Sequence, residues 1–199
     1  MIAELFAVWR TVLTRPSVQT FEEQKASASS ERTLTGVIIA AVVAAVLSAV
    51  LTAILASFAS FLSNIGGVPT SIAAGPLAAL STLVRTFVQT IVGFYLFCYV
   101  LQFVATRFLG GHGNFDQQAY LVSTYWVPVS IISQVLAFIP CIGWLAALAL
   151  LIYALVLTTY AVQSGQGMVV GNAIINWIIA AVVTGIVLAV LSAISGGWL

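Results

Sequence analysis

Apolar residues fill most of the chain after residue 32 and are interrupted only at short polar or glycine-rich places. No charged residue occurs from Thr33 to Val84, a stretch too long for one membrane span of about 20 residues. Glycine and proline at 64–69 and 75–76 divide it, and three further breaks follow. The pattern predicts an all-α, polytopic membrane protein with five transmembrane helices, at about 34–62, 77–108, 118–138, 144–163 and 172–195.

The segment before these spans is amphipathic. Apolar side chains recur on one helical face of residues 1–14, and Pro16 ends that helix before a second short one over Ser17 to Lys25. We therefore divide the chain into an amphipathic cytoplasmic segment, 1–32, and a five-helix membrane domain, 33–199. The favoured placement of the first helix is in the headgroup region, with Trp9, Pro16 and Phe21 as interfacial anchors. The alternative is that it docks under the bundle.

Composition supports the membrane class. Hydrophobic residues make up 62% of the chain and charged residues 6%, which leaves too few polar side chains to cover a soluble protein. The formal net charge is +1, and no basic cluster is large enough to follow a phosphate backbone. Nucleic acid is therefore excluded as a partner, and the lipid bilayer is the expected environment.

Charge placement predicts the orientation. Except for Arg85, which lies near the outer end of the second span, the cationic residues precede the first span or lie where the second span is joined to the third. The connections on the other side carry no lysine or arginine. Positive residues favour the cytoplasmic side. Five spans then predict a cytoplasmic N-terminus and an exoplasmic C-terminus, with these groups on the cytoplasmic face: Arg10, Arg15, Lys25, Arg32, Arg107 and His112.

Residues 107–120 form a polar, glycine-rich island between the second and third spans. Three glycines within four positions favour a turn, and Asn114 and Asp116 are good helix caps. The island holds the only histidine and the only aspartate, which is an incomplete metal site, and it lacks the lysine of a phosphate-binding loop. No enzyme motif, cofactor or metal site is predicted. The candidate interaction loop comprises Gly110, Gly111, His112, Gly113, Asn114, Phe115, Asp116 and Tyr120.

Several residues inside the spans are candidates for function. Arg85 is interpreted either as snorkelling to headgroups or as a paired charge at a functional cavity. Pro128 is a candidate hinge in the third span, and Gln134 a candidate polar site. The scattered polar residues are interpreted either as interhelical hydrogen-bonding groups or as the lining of a substrate path; they are Gln89, Gln102, Gln134, Thr158, Thr159, Asn172 and Asn176.

Small residues recur every fourth position in the first and fifth spans. Such ridges allow close helix approach in lipid, either within the chain or with another membrane protein or a second copy of this one. Alanine is also a common filler in membrane spans, and that interpretation stays open. The ridges are Gly36, Ala40, Ala44, Ser48, Thr52, Ala56 and Ser60 in the first span, and Ala181, Gly185, Ala189 and Ala193 in the fifth.

In this order and spacing, the chain resembles the Yip1 domain family of five-span membrane proteins. The matching features are Trp9-Arg10, Arg15-Pro16 with Thr20-Phe21, the island from Gly110 to Phe115 with Tyr120, Pro128, and Ile139-Pro140 with Gly143. The resemblance implies an N-cytoplasmic bundle; eukaryotic members act in membrane traffic, bind Rab-type GTPases and form complexes with relatives. This sequence lacks their long N-terminal region and acidic Asp-Leu-x-Gly-Pro motif, which counts against GTPase binding. Its compact form resembles the prokaryotic branch and implies a cytoplasmic membrane.

Two functional classes follow from these features. The first is a non-enzymatic scaffold or adaptor that recruits a partner or shapes the bilayer through the N-terminal helix and the island, where the polar surface is concentrated. The alternative is a transporter or channel subunit for a small or lipidic substrate, suggested by Arg85, Pro128 and the polar residues in the spans.

Overall fold

A computed structural model describes residues 2–66, 76–139 and 142–194. The described residues form seven helices and no strand. Five of these helices, α3 to α7, are long and apolar enough to cross a membrane, and two short helices precede them. The all-α, five-span fold is confirmed. The helices are α1 (Ile2–Thr14), α2 (Val18–Lys25), α3 (Ser30–Gly66), α4 (Pro76–Phe108), α5 (Phe115–Leu136), α6 (Ile142–Gln166) and α7 (Val170–Ile194).

Local sequence signals set several helix ends. Ser17 caps α2 by accepting a hydrogen bond from the Thr20 amide, and Asn114 caps α5 by accepting one from the Asp116 amide. Gly167 ends α6 with a φ of +67°, a conformation that glycine adopts at little cost. The helix continues to Gln166, three residues beyond the end predicted at about 163.

Helix α5 is the centre of the bundle. It contacts α1, α2, α3, α4 and α6, while α7 packs against α4 and α6. Every residue from Gln118 to Tyr125 is buried, so all sides of this half of α5 are covered. The helix continues through Pro128, which is itself buried. The largest side chains of the surrounding core include Tyr120, Phe94, Leu101, Leu121 and Leu157.

The α1–α2 hairpin packs against the bundle. Trp9 is 4% exposed and packs with Leu5, Ala40 and Val127, and Phe21 is completely buried, with its ring centroid 6.3 Å from that of Tyr125. A protein interior encloses both aromatic rings, so the favoured placement of Trp9 and Phe21 as headgroup anchors is corrected in favour of docking. Pro16, between the two helices, is partly buried.

The two small-residue ridges differ in their surroundings. On α3, Gly36, Ala40, Ala44 and Ala56 are buried, and this helix packs against α4 and α5. On α7 the predicted ridge is exposed, and the helix instead buries a neighbouring face formed by Ala173, Asn176, Ala180 and Thr184. Of the breaks predicted at 64–69 and 75–76, residues 64–66 belong to α3 and Pro76 begins α4, while the rest lie outside the described residues, as do Pro140 and Cys141.

Candidate functional site

Three glutamines from different helices meet at the end of the bundle where α4 is joined to α5. Gln166 of α6 donates hydrogen bonds to the side-chain oxygens of Gln102 on α4 and Gln118 on α5. Gln118 and Gln166 are almost completely buried. A side-chain amide carries both donors and an acceptor, so a single glutamine can link several elements at once. We call this group the glutamine joint.

The joint also holds the connection 109–114, here called the glycine loop. Gln102 Nε2 donates to the Gly113 carbonyl oxygen at 2.7 Å, and the Gly113 amide donates to Gln166 Oε1 at 3.0 Å. The His112 amide donates to the Gln166 carbonyl oxygen at 3.2 Å. Hydrogen bonds to Gln102 of α4 and to Gln166 of α6 therefore fix the loop backbone between these two helices.

Glycine is required at this junction because the backbones approach so closely. A Cβ atom on Gly113 would overlap the Gly165 carbonyl oxygen, and one on Gly165 would overlap Gln118 Oε1. A Cβ on Gly111 would lie 2.9 Å from Gln166 Oε1. Gly110 has a φ of +70° and meets no atom within 4 Å, so its role is conformational.

The candidate interaction loop is divided between surface and interior. His112, Asn114 and Asp116 are exposed together with Gly110. Gly111 is buried, Gly113 and Phe115 are partly buried, and Tyr120 is completely buried in the core. Tyr120 is therefore removed from the candidate surface, which consists of three polar side chains carried on a fixed backbone.

The candidates within the spans do not converge. Arg85 is exposed on the outer surface of α4, and Gln134 is partly buried near the far end of α5. Pro128 lies in the buried face of α5. The structure brings none of these three together with the glycine loop. Gln89 lies in a shallow cleft between α4 and α7.

Several of the scattered polar residues form interhelical hydrogen bonds. The Thr158 hydroxyl shares a hydrogen bond of 2.8 Å with the Tyr125 hydroxyl, and Trp177 Nε1 donates to the Thr159 hydroxyl at 3.1 Å. Asn176 differs, because both polar atoms of its side chain are buried without a hydrogen-bond partner among the described residues. Thr184, on the same face of α7, has a hydroxyl in the same state.

Sequence reasoning missed the joint. Gln102 was considered only as a scattered polar residue, and Gln118 and Gln166 were not singled out. A usable signal exists, because Gln118 and Gln166 each lie beside a glycine-containing turn and at the same predicted end of the bundle as Gln102. A buried amide at such a position must find a partner, and only its neighbours can supply one.

The joint can hold a backbone in place, but it carries no nucleophile or titrating group. Its members are neutral amides and glycines, and His112 and Asp116 project away from them into exposed positions. Among residues 2–66, 76–139 and 142–194, no group of three or more His, Cys, Asp or Glu side chains could hold a metal ion. The arrangement is suited to presenting a surface.

Replacing Gln166 by leucine should weaken the bundle markedly. The substitution removes the acceptor of the Gly113 amide and the donor to Gln102 and Gln118, leaving buried polar groups without partners. We expect a loss of about 3 kcal/mol, or about 6–12 °C in the thermal unfolding midpoint in detergent. Gln134→Leu is the matched control and should change the midpoint by less than 2 °C or so. Equal midpoints for the two variants would contradict the role of the joint.

Comparison with known proteins adds the family. The family model described as the Yip1 domain matches residues 10–192 of the chain. The match begins inside α1 and ends within the last turns of α7, so it takes in the end of α1, α2, the glycine loop and the five spans. No curated protein and no solved structure gives a significant match.

Proposed function

Because the chain belongs to the Yip1 domain family, we propose that it is a non-enzymatic membrane scaffold or adaptor that recruits a partner at the glycine loop. The observation that supports this role is a fixed backbone carrying exposed polar side chains. The glutamine joint holds the loop from beneath, while His112, Asn114 and Asp116 point outward. A preformed surface binds with less loss of conformational entropy than a mobile one.

In the orientation proposed from the positive residues, this loop faces the cytoplasm. Arg107 is exposed at the end of α4, beside the loop, and His112 and Asp116 add an imidazole and a carboxylate. The surface therefore offers both signs of charge within a few residues, which suits a polar and specific contact. The proposed location is the cytoplasmic membrane of a prokaryotic cell.

Site-specific photocrosslinking in native membranes tests the proposal. A photoreactive residue at His112 or Asn114 should capture one defined protein, because both side chains are exposed on the proposed surface. The same residue at Ile186, exposed on α7, is the control and should capture lipid. Capture of the same proteins from Ile186 as from the loop, or of lipid alone from the loop, would contradict an adaptor role.

One observation favours a transport role as the second candidate. Asn176 and Thr184 carry buried polar atoms without described partners, two helical turns apart on α7. Such groups are costly in an apolar interior and often mark a path for a polar solute. Flux of small polar solutes through proteoliposomes separates the roles: an adaptor leaves them sealed, whereas a transporter gives flux that Asn176→Leu abolishes.

A further inference from the structure

The α1–α2 hairpin lies far along the bundle from the glycine loop. Trp9 packs on Val127, which is about 18 Å along α5 from Phe115 at about 1.5 Å per residue. The Tyr153 hydroxyl donates to the Leu13 carbonyl oxygen at 2.7 Å, and Tyr153 is about 20 Å along α6 from Gln166. The hairpin therefore covers one flank of the bundle at roughly half the height of α5 and α6.

From Arg10 onward, the exposed surface of this hairpin is polar. Arg10, Thr11, Thr14 and Arg15 are exposed on α1, and Glu22 and Glu23 are exposed on α2. A charged group is costly at the level of hydrocarbon and is stabilised by headgroups or water. On this flank, the polar surface consequently reaches about halfway along α5.

The flank formed by α7 is apolar over its full height. Helix α7 packs mainly against α4 and α6, whereas the hairpin packs mainly against α5 and α6. It exposes an apolar residue at every turn from one end to the other: Val170, Ile174, Ile178, Val182, Ile186, Val190 and Ile194. The apolar surface that faces lipid, here called the hydrophobic belt, therefore extends further along the bundle axis at α7 than at the hairpin. A hydrophobic mismatch of this kind favours local thinning of the leaflet at the loop end beside α1, which draws its headgroups toward the hairpin.

Two arginines occupy the place to which those headgroups are drawn. Arg10 and Arg15 line one cleft on the outward side of α1, together with Ala7, Thr11 and Thr14. The Thr11 and Thr14 hydroxyls donate to the carbonyl oxygens of Ala7 and Arg10, at 2.9 and 2.8 Å. Their protons are already engaged, so the two guanidinium groups provide the binding capacity of the cleft.

The nearby acids are engaged elsewhere. Glu4 pairs with Arg32 at 3.3 Å, Glu22 pairs with Lys25 at 3.0 Å, and Glu23 accepts a hydrogen bond from Gln19. Neither Arg10 nor Arg15 forms an ion pair with a described carboxylate. Two unneutralised guanidinium groups in one cleft complement a phosphate, which arginine binds through paired N–H donors.

We propose that the α1 cleft formed by Arg10 and Arg15 binds the phosphate of an anionic phospholipid in the leaflet at the loop end, held below the general plane of the headgroups. Ile2 and Phe6 are exposed on the same helix and contact the acyl chains of that lipid. The site is formed by α1 and the residue that follows it, Arg15, and it does not depend on the proposed adaptor role of the glycine loop. It makes the protein a local thinning element in the bilayer.

Native mass spectrometry of the full chain, released from vesicles of equal phosphatidylglycerol and phosphatidylcholine, tests the site. The wild-type protein should retain phosphatidylglycerol in preference to phosphatidylcholine. The Arg10→Gln/Arg15→Gln variant should retain about tenfold less phosphatidylglycerol than the wild type. Arg107→Gln removes an exposed arginine elsewhere and should leave it unchanged. Equal retention by the double variant, or an equal loss in Arg107→Gln, would overturn the site. Displacement of the lipid by millimolar inorganic phosphate would also overturn it, by assigning the cleft to a free anion.

Depth is the second readout and does not depend on lipid retention. An environment-sensitive fluorophore on Thr14→Cys should report a headgroup environment and be quenched by spin labels on headgroups. The same fluorophore on Ile178→Cys, on the apolar flank, should be quenched by acyl-chain labels. Quenching by acyl-chain labels at both positions would show that the hydrophobic belt has the same height on the two flanks, and would contradict local thinning. Both changed side chains are exposed, so unaltered unfolding midpoints are expected.

Discussion

Gly113→Ala is expected to disrupt the end of the bundle at which four chain segments meet. The added Cβ overlaps the Gly165 carbonyl oxygen, which is backbone and cannot turn aside, and it also crowds the Gln166 side chain. Separating the segments would break the hydrogen bonds that Gly113 forms with Gln102 and Gln166. Overpacking together with unpaired buried amides should cost about 3 kcal/mol or more, which is a large part of the stability of a domain.

The measurement is thermal unfolding of the purified protein in detergent, where we expect the midpoint to fall by about 6–12 °C or the folded species to be lost. Two helical glycines provide a matched pair for comparison. Gly165→Ala should also destabilise, because its Cβ overlaps Gln118 Oε1, whereas Gly185→Ala meets no atom within 4 Å and gains helix propensity. A Gly113→Ala protein with the midpoint of Gly185→Ala would contradict the close packing of the joint.

Trp9→Ala is expected to release α1 from the bundle. The indole is 4% exposed, packs on Ala40 and Val127, and lies beside Gly36. Truncating a buried tryptophan costs about 3–5 kcal/mol. The remaining attachments of α1 include the Glu4–Arg32 ion pair and the Tyr153 hydrogen bond, which together contribute less than the lost packing. Hydrogen exchange should show faster exchange of the α1 amides, with α5 to α7 still protected.

Phe6→Ala is the control, because Phe6 is on the same helix and its ring centroid lies 4.9 Å from that of Trp9. Phe6 is 56% exposed, so its truncation removes one aromatic contact, worth about 1 kcal/mol, and little burial. Equal exchange in the two variants, with α1 as protected as in the wild type, would contradict docking. It would restore the interpretation of α1 as a helix anchored mainly in headgroups.

The five spans could be predicted because their signal is strong and local. Long apolar runs with no charge permit few structures other than membrane helices, and glycine and proline mark their ends. The cap of α5 was equally predictable, and Asn114 acts where a side-chain oxygen before a helix is expected to act. The capping role of Ser17 was not predicted. The end of α6 was predicted three residues too early, because Gly165 lies inside the helix. This glycine is needed for close packing against Gln118, which the local sequence does not reveal.

The placement of α1 could not be read from its own pattern. A helix with one apolar face buries that face equally well against lipid or against protein. Its pattern of apolar and polar residues is therefore the same in both cases. What decides between them is a complementary slot, here formed by Gly36 and Ala40 of α3 and Val127 of α5. Those residues are distant in sequence, and their convergence depends on the packing of the whole bundle.

The glutamine joint was missed for a related reason. Each glutamine alone has an ordinary interpretation, and only the meeting of Gln102, Gln118 and Gln166 distinguishes them from the other polar residues of the spans. The same geometry separates Tyr120 from the exposed loop residues, although the sequence places it only a few positions away. Tyr120 is buried because α5 is enclosed on all sides from Gln118 to Tyr125.

The most direct test of the adaptor role is partner capture by the full chain carrying His112→Ala and Asp116→Asn. Both side chains are exposed, and the His112 backbone bond to Gln166 and the Asn114 cap are retained, so the unfolding midpoint should stay within 2 °C or so of the wild type. Affinity purification from native membranes should then lose the protein that crosslinks to the loop, by about tenfold or more. A correctly folded variant that captures the same partner in the same amount would contradict the glycine loop as its binding surface.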